Sequence, residues 1–221
     1  MFNPKKQNKM KKLIYLFAAM AIVCSGAEAD AQNRKLEKAY DKMYKLKVKE
    51  FNREGWKISG SAKTLEVALL EHYEKLKDDA ANRELVGECS QGLSINACRQ
   101  AAYNNALISY ANLAGSTLKG RIVSDTNIDQ SDMEGEFDKM YAAYERLVQT
   151  EIKGVLTESF SVVKENGKRK QYRVYFIVNE DKASQARIRA MQRALEETQA
   201  AQKYAREISE FVREGFESEG N

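Results

Sequence analysis

The chain predicts an α+β fold, an antiparallel sheet of about four strands packed by helices, with long N- and C-terminal helices forming a helical extension. Three observations carry that reading. Asn166-Gly167 separates two alternating runs, Val155 to Lys164 and Gln171 to Val178 with Tyr172, Val174, Phe176 and Val178, as a tight hairpin requires. Met133, Phe137, Met140, Tyr141, Tyr144, Leu147, Val148 and Ile152 recur at helical spacing and mark a core helix. From Glu180 to Gly215 no glycine or proline intervenes, while Ala183, Ala186, Ala190, Ala194, Ala201, Ala205, Ile208 and Val212 repeat on the same period.

Taken in order, the chain opens with Lys9, Lys11 and Lys12 before an apolar run from Leu13 to Cys24 and a small-residue stretch ending at Ala31. That order is the pattern of a signal peptide, and the run is short of the roughly 20 residues a permanent membrane span needs. Residues 1–31 are therefore read as a leader, cut after Ala29 or, preferably, after Ala31, and the protein as exported to the periplasm or an outer-membrane site with no transmembrane span in the mature chain. A competing reading makes Cys24 a lipidated first residue, but Val23 and Ile22 precede it where a lipoprotein peptidase favours Gly, Ala or Ser. Removing five of the 36 basic and two of the 32 acidic residues with the leader leaves a formal charge of +1. So balanced a chain carries no electrostatic footprint for nucleic acid.

Residues 32–54 form the N-terminal helix, with Leu36, Tyr40, Met43, Leu46 and Phe51 near helical spacing and Gly55 ending it. The α+β domain follows over 55–180. Trp56 to Ser59 reads as a short strand, and Gly60-Ser61 opens a helix carrying Leu65, Ala68, Leu69, Tyr73 and Leu76. His72 on that helix is expected at the surface or its boundary, and Trp56 as a buried strand aromatic rather than an anchor for a sugar or partner. Leu85 to Ser90 is the next strand. From Ser94 a long helix presents Ala97, Ala101, Ile108, Ala111 and Gly115 as a small buried face, with Asn105, Ser109, Asn112 and Ser116 beside it. That polar stripe either lines a groove or borders solvent, and the second is preferred. The last segment, 181–221, is one helix too long for a small domain to cover, so its part from Glu196 to Phe216 is expected to pair with Arg34 to Arg53, or with another subunit or protein.

Cys89 and Cys98 remain in the mature chain as either a disulfide closing a short loop or two buried thiols. Asp125, Asn127, Asp129 and Glu136 stand at the first, third, fifth and twelfth positions of a helix-loop-helix, oxygen spacing that suits calcium. Gln130 replaces the turn glycine, however, and Ser131 with Glu134 makes a capping box that explains the same acids structurally.

A strand, the alanine-rich helix from Ala97 to Gly115, a helix ending Ile152-Lys153-Gly154-Val155-Leu156 and a hairpin closing Tyr172-Arg173-Val174-Tyr175-Phe176-Ile177-Val178 follow one another. Over about Leu85 to Ala183 this order resembles the twenty-kilodalton bacterial outer-membrane lipoprotein family. The resemblance implies an α+β envelope domain without known enzyme activity and transfers no site residues. The sequence contains no catalytic signature, and the expectation is an exported, non-catalytic cell-envelope protein serving interaction or assembly through its C-terminal helix, by an envelope partner or self-association. Alternatives are a periplasmic small-ligand or calcium-binding module, and an enzyme whose carboxylates converge only in three dimensions.

Overall fold

The computed structural model describes residues 34–35, 37–125 and 134–198. The chain divides into two compact units, residues 1–47 and 48–221, and the second holds the sheet. Helix α1 covers 37–54 and closes on a Schellman motif, in which Trp56 N donates to Phe51 O at 3.0 Å and Gly55 N to Asn52 O at 3.3 Å. The elements that follow are β1 (Lys57–Ser59), α2 (Leu65–Asp78), β2 (Asn82–Gly92), α3 (Ile95–Asp125), α4 (Glu134–Ile152), β3 (Thr157–Asn166), β4 (Arg169–Asn179) and α5 (Glu180–Glu197). The fold is α+β, and its four strands form one antiparallel sheet in the order β1-β3-β4-β2.

Strand alternation gives the sheet two apolar faces. On one, Tyr172, Val174 and Phe176 of β4 pack with Cys98, Ala102 and Ala106 of α3. On the other, Tyr175 stacks on Phe160 with centroids 4.4 Å apart, and α2 brings His72 against both rings. A bulge between Glu158 and Phe160 sets that stack, because the extra residue shifts Phe160 into register with Tyr175. The β3–β4 turn is one residue later than the sequence suggests: Asn166 pairs with Arg169, so Gly167-Lys168 is the loop. Gly167 has φ +61° and Lys168 a negative φ, the pattern of a type II′ turn, whose first central position favours glycine.

Helix α3 departs from its expected face. Ala111 and Gly115 are buried as expected, but Ala97 and Ile108 are exposed, and the rest of the buried face is Cys98, Ala102, Ala106, Leu107, Ala114 and Leu118. The reason is that α3 serves two partners in succession. Its first half lies on the sheet, whereas Ala111, Ala114 and Leu118 belong to a second core with Met140, Tyr144, Leu147 and Val148 of α4 and Ala190, Met191, Ala194 and Leu195 of α5. At about 100° per residue, Ala106 and Ala111 point some 140° apart, so no single stripe describes the helix. Asn105, Ser109, Asn112 and Ser116 are all exposed.

Helix α2 starts at Leu65, later than Gly60-Ser61, because Thr64 is its cap and accepts a hydrogen bond from Val67 N. Strand β4 passes into α5 without a loop, Asn179 capping the new helix by accepting from Lys182 N. The uninterrupted helix expected from Glu180 to Gly215 instead ends at Glu197, where Thr198 takes an extended backbone with φ −122° and ψ 119° and turns its hydroxyl back to Ala194 O. Most of the expected stalk partner, Glu196 to Phe216, and the leader with Cys24 and Ala31, lie outside the described residues. Of the apolar face expected on α1, Phe51 is buried and Met43 and Leu46 are exposed. No helix among the described residues is long and apolar enough to cross a membrane.

Helix α3 lies close on the sheet at Gly87, where an added Cβ would fall 2.0 Å from Ala102 O and 2.9 Å from Ala106 Cβ. Neither a backbone carbonyl nor a helix-borne methyl can yield. Gly87→Ala is therefore expected to destabilise the fold by about 1 to 3 kcal/mol through overpacking, read as a lower urea midpoint. An unchanged midpoint would contradict this contact.

Candidate functional site

A cleft of about 380 Å³ opens where the start of β2, the end of β4, the second half of α3 and the start of α5 meet. Ala114, Val178 and Arg187 are its buried parts, Leu85 and Tyr110 are half-buried, and Leu113, Thr117, Arg83, Glu84 and Glu180 complete the lining. Its position follows from the chain path. Because β4 feeds directly into α5, Glu180 is the first helical residue, suited to the positive end of the helix dipole. Arg187, two turns later, returns to the same side. On α3, Tyr110, Ala114 and Thr117 are spaced by four and three residues and so share a face.

Arg187 is only 5% exposed, and it donates to the Tyr110 hydroxyl and to the Glu180 carboxylate. Burial works against its charge, but the hydrogen bond to Glu180 and the proximity of Tyr110 outweigh that and hold the guanidinium above its ordinary value. Burial pushes the Tyr110 phenol up, opposed by the Arg187 charge, so Tyr110 stays a neutral hydroxyl that accepts from Arg187 and keeps its own proton to donate. Tyr144 is buried in the helical core, where Arg187 and Tyr110 act on it electrostatically, and its hydroxyl has no hydrogen-bond partner among the described residues. The cleft is thus mostly apolar, with a charge-balanced knot at its base that presents donors.

The residues singled out in the sequence are dispersed. Cys89 and Cys98 form a disulfide with Cα atoms 5.3 Å apart, fastening the end of β2 to the first turn of α3. For so short a loop it contributes about 2 to 3 kcal/mol in the chain-entropy model. His72 is not at the surface: it is 0% exposed, with Nε2 2.7 Å from Glu84 Oε2 and its ring edge-on to Tyr73, Phe160 and Tyr175. It ties α2 to β2. Only the spatial approach of Glu84, twelve residues away, lets the imidazole be buried there. Trp56 is buried under the Arg173 guanidinium, 4.6 Å from the ring centre, and donates from Nε1 to Glu54 at 3.0 Å. Its role is packing.

Of the proposed calcium ligands, Asp125 ends α3 and Glu136 lies in the first turn of α4, while Asn127 and Asp129 fall outside the described residues. Among the described residues no group of three or more His, Cys, Asp or Glu side chains is arranged to hold a metal ion. In the polar stripe of α3, Asn105 donates to Glu88 O at 2.7 Å and so caps the edge of β2.

Sequence reasoning passed over Arg187, Tyr110 and Glu180. The available signal was Arg187 itself, a charge standing in phase with the alanine stripe Ala183, Ala186, Ala190 and Ala194. A cation on a buried face requires an anion and a cavity edge to satisfy it. Comparison of the chain with protein-family models, with curated proteins and with solved structures gives no match.

Five buried or half-buried phenols resist ionisation in the folded chain. Tyr73 and Tyr141 are pushed up to about 12 chiefly by burial, and Tyr110, Tyr144 and Tyr175 are raised for the same first reason. Since their folded values lie above the unfolded value of about 10, the stability they contribute is complete below about pH 10 and is lost as pH rises through the raised values. Phenolate absorbance from these residues is expected to appear together with loss of far-ultraviolet circular dichroism, as one cooperative step. Full ionisation of all 11 tyrosines near pH 10 in a still-helical protein would contradict this.

Proposed function

We propose that this chain is an exported, non-catalytic cell-envelope protein whose α+β domain is an interaction or assembly module. The observation that carries the reading is the Cys89–Cys98 disulfide, joined to the charged, apolar and small-residue order of residues 1–31. Disulfides persist in oxidising compartments, and export is what places a chain there. A binding role draws support from the cleft. Its charged groups are engaged, Arg187 with Glu180, Glu84 with His72 beyond the cleft, and Arg83 with the backbone carbonyls of Ala80 and Asn82, so they shape and polarise a surface instead of standing ready to move a proton.

Cell fractionation combined with intact mass tests the proposal. The expected product is released with the envelope fraction, begins at Gln32 and carries one disulfide. A cytoplasmic product that retains its first 31 residues, with reduced cysteines, would overturn it. A mass that begins at a diacylated Cys24 would keep the envelope assignment and replace the cleavage site.

A further inference from the structure

Strand β2 ends the sheet, and among the described residues its outer edge is open over a defined window. In an antiparallel ladder the N–H and C=O of one residue point the same way, and successive residues alternate. Glu180 N donates to Ala81 O at 2.8 Å, which continues the β2–β4 ladder and fixes its phase. Odd-numbered residues of β2 therefore turn their backbone groups toward β4, and Asn82, Glu84, Val86 and Glu88 turn theirs outward. Side chains close both ends of that row, since Asn82 O accepts from Arg83 Nη1 at 3.0 Å and Glu88 O accepts from Asn105 Nδ2 at 2.7 Å. Between these stops, Glu84 and Val86 have no outward backbone partner among the described residues.

The open window borders the cleft. Arg83, Glu84 and Leu85 line it from β2, while Leu113, 67% exposed, stands on its α3 side with the Tyr110–Arg187 pair below. We propose that this edge receives an extended peptide segment of a partner protein, which adds as a fifth strand beside Glu84 and Val86 and lays one apolar side chain into the cleft. This rests on the interaction reading above and names its partner's chemistry. Two N–H and two C=O groups in alternation match an extended polypeptide backbone, and a cleft of about 380 Å³ beside them accommodates a large apolar side chain. The Tyr110 hydroxyl, whose oxygen already accepts from Arg187, offers its proton to a carbonyl of the incoming segment. The stops at Asn82 and Glu88 limit pairing to about three residues, which favours a short recognition segment over a long intersubunit sheet.

The test is selection of a random-sequence peptide display library on the purified, oxidised protein, followed by hydrogen exchange of the complexes. Selected peptides are expected to carry an apolar residue flanked by extended-chain formers and to slow exchange of the Glu84 and Val86 amides at least tenfold. N-methylation of the peptide backbone beside the apolar residue is expected to weaken binding at least tenfold. Leu113→Asp, a substitution at an exposed position, is expected to weaken binding similarly with unchanged thermal stability. Peptides that bind without protecting Glu84 and Val86 overturn the edge proposal and leave the interaction reading intact. Failure to enrich any peptide overturns the edge proposal as well. Protection of the same amides that grows with protein concentration, without peptide, assigns the edge to a second copy and also overturns it. Localisation of the protein is decided separately by fractionation.

Discussion

The seat of α3 on β2 is the contact on which the other arrangements depend. Gly87 lets the helix backbone at Ala102 come so close that no side chain fits between, and Ala102 and Ala106 extend that contact along the helix. Small residues lose side-chain area, and they recover dispersion by bringing two backbones and their neighbours into contact. The Cys89–Cys98 disulfide fastens the start of the same helix to the end of the same strand, and Asn105, two turns further on, ties the helix to Glu88 O. With its first half fixed in this way, α3 leaves the sheet at a set angle. Its second half then becomes the wall against which α4 and α5 assemble.

The cleft is a consequence of that departure. Where α3 leaves the sheet, a wedge remains between Tyr110 and Leu113 on one side and the ends of β2 and β4 on the other. Arg187 occupies the base of the wedge. A buried guanidinium is tolerable only with its charge and donors matched, and Glu180 and Tyr110 supply that match from two different elements. The trio thus joins α5 to α3 and at the same time gives an otherwise apolar recess a polar floor. On the far face of the sheet, His72 and Glu84 do the corresponding work, linking α2 to the strand whose backbone edge borders the cleft.

What the sequence made legible was periodic or local. Alternation and the Asn166-Gly167 pair located the hairpin, displaced by one residue because Asn166 joins the ladder and Gly167 takes the positive φ. Met140, Tyr144, Leu147, Val148 and Ile152 are buried as the period of α4 requires. Periodicity misled on α3 because that helix changes partners midway, and a search for one stripe returns an average of two. His72 was misjudged because its partner is distant in sequence. The end of α5 at Thr198 was not legible either, since nothing local in the composition of Glu196 to Ala201 breaks a helix. The candidate site was invisible for the same reason as His72: its three polar members come from α3, the β4–α5 junction and α5, and only the fold brings them together.

Native-state hydrogen exchange is the most direct test of the seat of α3 on β2 as the organising contact. The amides of Leu85 and Gly87 in β2, of Arg173 and Tyr175 in β4, which face β3, and of Ala106 in α3 are predicted to exchange only by global opening, with a common free energy equal to that of urea unfolding. If β2 instead opens separately, at a lower free energy than β4 and α3, the helix and the sheet hold together without it, and the seat of α3 on β2 is not the organising contact.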